Sequence, residues 1–156
     1  MSSVIRNVSY SEQAINMFVS QIEEWGTIET GGVLMGYLEK GTLYIEKASD
    51  PGPNAIHDPV YFRADANYID MFIDMEYANS GGRNYYLGEW HTHPQIHPEP
   101  SDVDYQSLHE IAESSSEYAL LLILGAVEFR RAKFLKQHIA VLKYRDDRRF
   151  YCVPSC

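Results

Sequence analysis

Between residues 11 and 25, apolar side chains recur at Ala14, Ile15, Phe18, Val19 and Ile22. This is the spacing of one helix face, with Ser11 in position to cap it. Glu29-Thr30-Gly31-Gly32 breaks the period, and residues 33–38 then read as a strand able to pair with 42–48 across a tight Lys40-Gly41 turn. Residues 49–59 hold three of the seven prolines and read as loop. Residues 64–79 return to a helical pattern with a partly apolar stripe (Tyr68, Phe72, Ile73, Met75 to Tyr77), ended by Gly81-Gly82. Residues 85–92 predict a buried strand, 94–100 a proline-bearing loop, and 102–114 a helix with Tyr105, Leu108, Ile111 and Ala112 inward. The continuous apolar run 119–124 has the length of a central strand covered on both faces. Residues 129–135, 138–144 and 150–153 complete a mixed sheet with helices against it, an α/β or α+β fold.

The 156 residues fit one domain, 1–156, without repeat, low-complexity tract or long linker. A net charge of -9 argues against nucleic acid as the main partner, because phosphate binding needs clustered Lys and Arg. The pairs Arg130-Arg131 and Arg148-Arg149 are short, sit beside acids, and read as solvated strand and turn faces. No apolar run approaches the roughly 18 residues of a membrane span, and the N-terminus lacks a signal-peptide core. Two cysteines, Cys152 and Cys156, make no disulfide framework and suit a reducing compartment as free thiols. A cytoplasmic protein without a membrane partner is the expectation.

The chemistry concentrates in His91-Thr92-His93-Pro94, followed by Ser101 and Asp104. Imidazoles at i and i+2 of an extended segment point to one side, while Trp90 and Thr92 point to the other and pack. A turn and a helix start can return the Asp104 carboxylate to the imidazole side. Two neutral imidazoles and one carboxylate leave zinc a fourth position for water. The plain alternative for the histidines is a pair of solvated residues at a strand end. Ser101-x-x-Asp104 is equally a capping pattern before an apolar helix, and both roles can coexist. Glu29 alone is an ordinary loop acid. It gains meaning because zinc-water hydrolysis needs a nearby carboxylate that is not a ligand, and Gly31-Gly32 permits close backbone packing beside it. His97 and Glu99 could border a substrate channel but receive no metal role, since extra ligands would fill the open position. His109 reads as a surface or supporting residue.

Taken together, Glu29, His91-x-His93, seven residues and Ser101-x-x-Asp104 resemble the JAMM signature of the JAB1/MPN/Mov34 metalloprotease family, in its prokaryotic JAB-like branch. ETGGVLMG resembles the family's first strand, and GEWHTHPQIHPEPSDVD its strand-loop-helix core. The resemblance implies an MPN/JAB1 fold of cytidine-deaminase-like architecture, although the His-x-Glu and Pro-Cys-x-x-Cys of zinc deaminases are absent. It implies that His91, His93 and Asp104 bind one Zn2+ per chain. Glu29 would be general base and proton shuttle, and Ser101 would hydrogen-bond the developing oxyanion or the water.

Relatives with this signature cleave isopeptide or peptide bonds after the C-terminal tail of ubiquitin or a ubiquitin-like protein. The short chain resembles the bacterial deconjugating peptidases encoded with E1- and E2-like enzymes in anti-phage systems. The expected activity is a deubiquitinase-like zinc isopeptidase, acting in deconjugation or precursor processing, with E1/E2-like operon partners. The alternatives are a peptidase that processes a sulfur-carrier precursor and a non-catalytic MPN scaffold. Residues 55–79 lie where relatives carry a substrate-contacting insertion.

Overall fold

A computed structural model describes residues 4–95, 98–114, 117–125 and 138–156. Its elements run β1 (Asn7–Tyr10), α1 (Glu12–Trp25), β2 (Gly31–Glu39), β3 (Thr42–Ala48), β4 (Ile56–Asp58), β5 (Tyr61–Arg63), α2 (Ala66–Asn79), β6 (Tyr85–His93), α3 (Asp102–Ser114), β7 (Tyr118–Gly125), β8 (His138–Tyr144) and β9 (Phe150–Cys152). The mixed α+β expectation holds. A seven-stranded sheet of order β1-β3-β2-β6-β7-β8-β9 is flanked by helices, and β4-β5 forms a separate hairpin. The predicted strand over 129–135 lies outside the described residues.

Strand β7 shows how the sheet divides the molecule. Leu120, Leu122 and Leu124 join Phe18 and Ile22 of α1 in one apolar cluster, while Ala119, Leu121 and Ile123 join Leu108 and Ala112 of α3 in another. The period of two therefore sends alternate residues into two cores, one per face. That is why β7 reads as a continuous apolar run.

α1 begins where Ser11 accepts the Ala14 N–H, as its sequence predicts. The turn after β2 places both Lys40 (φ 50°) and Gly41 (φ 83°) in the left-handed region, the requirement of a two-residue hairpin loop. Four features differ from the sequence reading. β2 starts at Gly31 rather than 33, because Gly31 and Gly32 pair with His91 and Trp90. β1 is an added edge strand, and the region read as loop contains β4. α2 buries none of its residues fully; Ile73 of its apolar stripe lines a groove, together with Ile69, while Met75 and Tyr77 are exposed.

β6 and β7 are parallel neighbours joined through α3, which brings the N-terminus of α3 beside the C-terminal end of β6. Ahead of that end, the β2–β6 register shifts between Leu34 and Met35, opposite Gly88 and Tyr86. Gly88 has φ 146°, and a Cβ there would strike the Leu120 carbonyl. Beyond this irregularity β6 runs with Trp90 and Thr92 buried.

Candidate metal centre

His91 and His93 close β6, on the face of the sheet opposite Trp90 and Thr92. The packing expected of those two is observed. Trp90 meets Phe18 edge-on at 4.8 Å and donates from Nε1 to the Ser49 carbonyl at 3.0 Å. Thr92 Oγ1 accepts the Thr30 N–H at 3.0 Å. Both anchors lie on the α1 side, so the imidazoles are held from behind.

α3 supplies Asp104 from its first turn. Ser101 Oγ accepts the Asp104 N–H at 3.1 Å, and the Ser101 N–H donates to Asp104 Oδ2 at 2.8 Å. This is the reciprocal capping box the sequence suggests, with aspartate in place of glutamate. The same carboxylate faces both imidazoles. His91 Nε2 lies 3.1 Å from Oδ1, His93 Nε2 lies 3.3 Å from Oδ2, and the two Nε2 atoms are 3.2 Å apart. Glu29 approaches from the residues before β2, its Oε1 3.6 Å from His93 Nε2. All five residues singled out in the sequence line one groove of about 920 Å³.

The electrostatics follow from this crowding. Burial works against charge on Asp104, but hydrogen bonds from His91, His93 and the Ser101 backbone hold its carboxyl far below the usual carboxylate range. Burial likewise disfavours charge on His93, yet Asp104, Glu29 and a hydrogen bond to the Glu99 backbone outweigh it and raise its pKa. Glu99 thus bears on the charge of His93 through its main chain. His109 is exposed, and His97 lies outside the described residues.

These residues fit a metal ion. A tetrahedral zinc centre with bonds of about 2.0–2.1 Å needs ligand atoms about 3.3–3.4 Å apart, close to the three separations observed. The donor set of two imidazoles and a carboxylate suits zinc among the common divalent ions. Glu29 also lies close enough to join His91 and His93 around an ion. Asp104 makes the better third ligand: it is buried and held by Ser101, whereas the Glu29 side chain remains 34% exposed.

Two further side chains have no counterpart in the sequence reading. Glu89 sits in the same groove, on the His91–His93 side of β6. The i, i+2, i+4 series Glu89, His91, His93 is the signal that identifies it. Although much of its surface still meets solvent, desolvation within the groove raises its pKa, with His91 pulling the other way. Thr30, completely buried, links Glu29 to the ligand strand and has no comparable signal.

A family model described as prokaryotic homologs of the JAB domain matches residues 11–136, and the chain belongs to that family. It is 32% identical over 123 residues to the probable metalloprotease y4qB of Sinorhizobium fredii, covering 75% of each chain. It is 33% identical over 117 residues to a CD-NTase/cGAS isopeptidase of Vibrio cholerae, covering 75% of this chain and 74% of the other. An Escherichia coli protein of the same name is 28% identical over 136 residues, covering 87% and 86%. The solution structure of protein DSY2949 from Desulfitobacterium hafniense shares the fold with a TM-score of 0.64 and 13% identity, covering 96% of this chain and 91% of that one. These relatives mark the chain as a peptidase of metalloprotease or isopeptidase type. Among the described residues, no helix is long and apolar enough to cross a membrane.

Proposed function

We propose that the protein is a zinc-dependent isopeptidase that hydrolyses the amide bond after the C-terminal tail of a ubiquitin-like or otherwise conjugated protein. The observation that carries this reading is the convergence of His91 Nε2, His93 Nε2 and the Asp104 carboxylate at 3.1–3.3 Å, with the separate carboxylate of Glu29 beside them. His91, His93 and Asp104 would hold the ion. When bound, zinc supplies Lewis acidity, polarising a carbonyl and bringing the pKa of a water from about 15.7 toward about 7.

The remaining chemistry belongs to the chain's own residues. Glu29 takes a proton from the attacking water and returns one to the departing amine, so water and amide become carboxylic acid and amine, which then share the acid proton as carboxylate and ammonium. The Ser101 oxygen is engaged by the Asp104 N–H, which leaves its hydroxyl hydrogen to donate toward the developing oxyanion. The groove suits an extended chain. Val60 to Ala64, Ile69 and Ile73 form one wall, and Val103, Leu108 and Ile111 another. The names of the Vibrio and Escherichia relatives favour a conjugated protein as substrate, with a CD-NTase as one candidate. Genes for E1- and E2-like partners beside this one, as in anti-phage systems, are the expected setting.

A ten-residue tail joined through its terminal carboxyl to a lysine ε-amine, with a fluorophore and quencher, tests the reading. Zinc-loaded wild type is expected to cut after the last tail residue, and Glu29→Gln to retain zinc but lose at least about 100-fold in rate. Preferential cleavage of a linear sulfur-carrier precursor would move the substrate to precursor processing. Failure of the zinc-loaded protein to cut isopeptide and linear tails alike would reject the peptidase.

A further inference from the structure

The β4-β5 hairpin walls the groove, yet residues 56–63 contribute to neither apolar core. Ile56, Val60 and Tyr61 stand in solvent, Val60 at 91% exposure. The base of the hairpin is closed by the Asp65 N–H on the Pro51 carbonyl and the Asn54 N–H on Asp65 Oδ2, and one side chain ties the hairpin itself to the end of α1 and to Thr30. The His57 ring stacks on Trp25 at the end of α1, with centroids 3.4 Å apart and planes 6° from parallel. Its Nε2 lies 3.1 Å from Thr30 Oγ1. Among the described residues, this is the one hydrogen bond that joins the hairpin to the sheet or to α1.

The partner it reaches is informative. Thr30 follows Glu29 directly in the chain. Its Oγ1 donates to Gln21 Oε1 at 3.0 Å, so it accepts from His57, which fixes the imidazole with its proton on Nε2. The Thr30 N–H donates to Thr92 Oγ1 at 3.0 Å, and the Thr92 N–H donates to the Thr30 carbonyl at 2.9 Å. One buried threonine, next to Glu29 in the chain, thus joins the strand of the two histidines to the wall of the groove. On the hairpin itself, His57 pairs with Phe62, which faces the groove.

We propose that His57 is a positioning residue that locks the β4-β5 hairpin onto Thr30, holding the groove wall in fixed register with Glu29 to receive an extended protein tail. Thr30 keeps its bonds to Gln21 and Thr92 when His57 is removed, so the wall loosens while the metal centre stays intact. The substrate half of this statement rests on the isopeptidase reading; the hairpin half does not.

Hydrogen exchange on zinc-loaded wild type, His57→Ala and His57→Gln separates the two. In His57→Ala, amides of residues 56–63 are expected to exchange about tenfold faster or more, with β6 and α3 amides unchanged. Zinc content should stay at one per chain. On the isopeptide-linked tail, KM should rise about fivefold or more while kcat stays within about threefold. His57→Gln, which can still donate to Thr30, should recover part of both effects. Unchanged exchange in 56–63 would overturn the proposal whatever the protein cleaves. Faster exchange with unaltered KM would overturn it as a substrate-positioning device. If wild type cleaves nothing, the isopeptidase reading fails, and the exchange data alone still decide whether His57 holds the hairpin.

Discussion

Ser101 and Asp104 hold each other through two reciprocal hydrogen bonds, and the same Asp104 carboxylate reaches His91 at 3.1 Å and His93 at 3.3 Å. The device that starts α3 is therefore also the device that aims the third candidate ligand. A residue in a helix's first turn has little rotational freedom once its carboxylate is capped, so the ordering entropy is met by folding rather than by metal binding.

Ser101→Ala should separate capping from chemistry. Loss of the cap is expected to lower stability by about 1 kcal/mol. If the hydroxyl also serves the oxyanion, kcat should fall about 100-fold or more. Ser101→Thr keeps an oxygen for the Asp104 N–H and should recover the stability. Urea titration and initial rates on the same preparations check both halves.

Metal removal should be visible in melting as well as in activity. Zinc at about 1,000 times its dissociation constant stabilises the folded state by about 4 kcal/mol, so chelation should lower Tm by on the order of 10 °C for a chain of this size. His91→Ala should bind no zinc and show no response to chelator, while Glu29→Gln should respond as wild type does. Differential scanning calorimetry with metal analysis reads each outcome.

The metal-free centre should carry a distinctive pH profile. Asp104, held below its ordinary value, contributes stability that is present above about pH 4 and lost as pH falls. His93, held above its ordinary value, contributes stability that is present below about pH 6.5 and lost as pH rises through its raised value. The contribution of the pair should peak between those limits. Zinc should reverse the upper limb, because it binds the neutral imidazoles. Urea midpoints from pH 3 to 9, with and without zinc, provide the comparison. A metal-free contribution that climbs steadily from pH 5 to 8 would contradict the arrangement.

Gly31 should tolerate no side chain. A Cβ there would meet the Trp90 carbonyl oxygen and lie 2.9 Å from the His91 Cβ. Gly31→Ala should cost about 1–3 kcal/mol and displace the strand that carries both histidines. Weaker zinc binding at a temperature where the variant remains folded distinguishes displacement from simple instability. At Gly26 a Cβ would meet nothing within 4 Å, but φ is 62°, so Gly26→Ala should lower stability without loss of zinc.

Much of the site was legible because its spacing reflects local geometry. His91 and His93 share a face through the strand period, and Ser101-x-x-Asp104 is a capping pattern whatever else it does. The helix starting after Ser11 and the Lys40-Gly41 turn were equally readable. What escaped depends on partners distant in the chain. β1 has four residues and is a strand because it pairs with β3, 35 positions further on. The hairpin hides among prolines, and its attachment runs from His57 to residues 27 and 32 positions away.

By itself the sequence determined the helices, the central strand and the residues to consider as ligands and base, because each follows from short-range periodicity or from the chemistry of a residue type. Only the tertiary structure decided that Asp104 faces both imidazoles, that Glu89 shares their groove, and that Thr30 joins Glu29 to the hairpin. Those relationships depend on which strands become neighbours and which faces meet. Strand neighbours are chosen by burial summed over two apolar cores, a quantity that no local stretch of sequence contains.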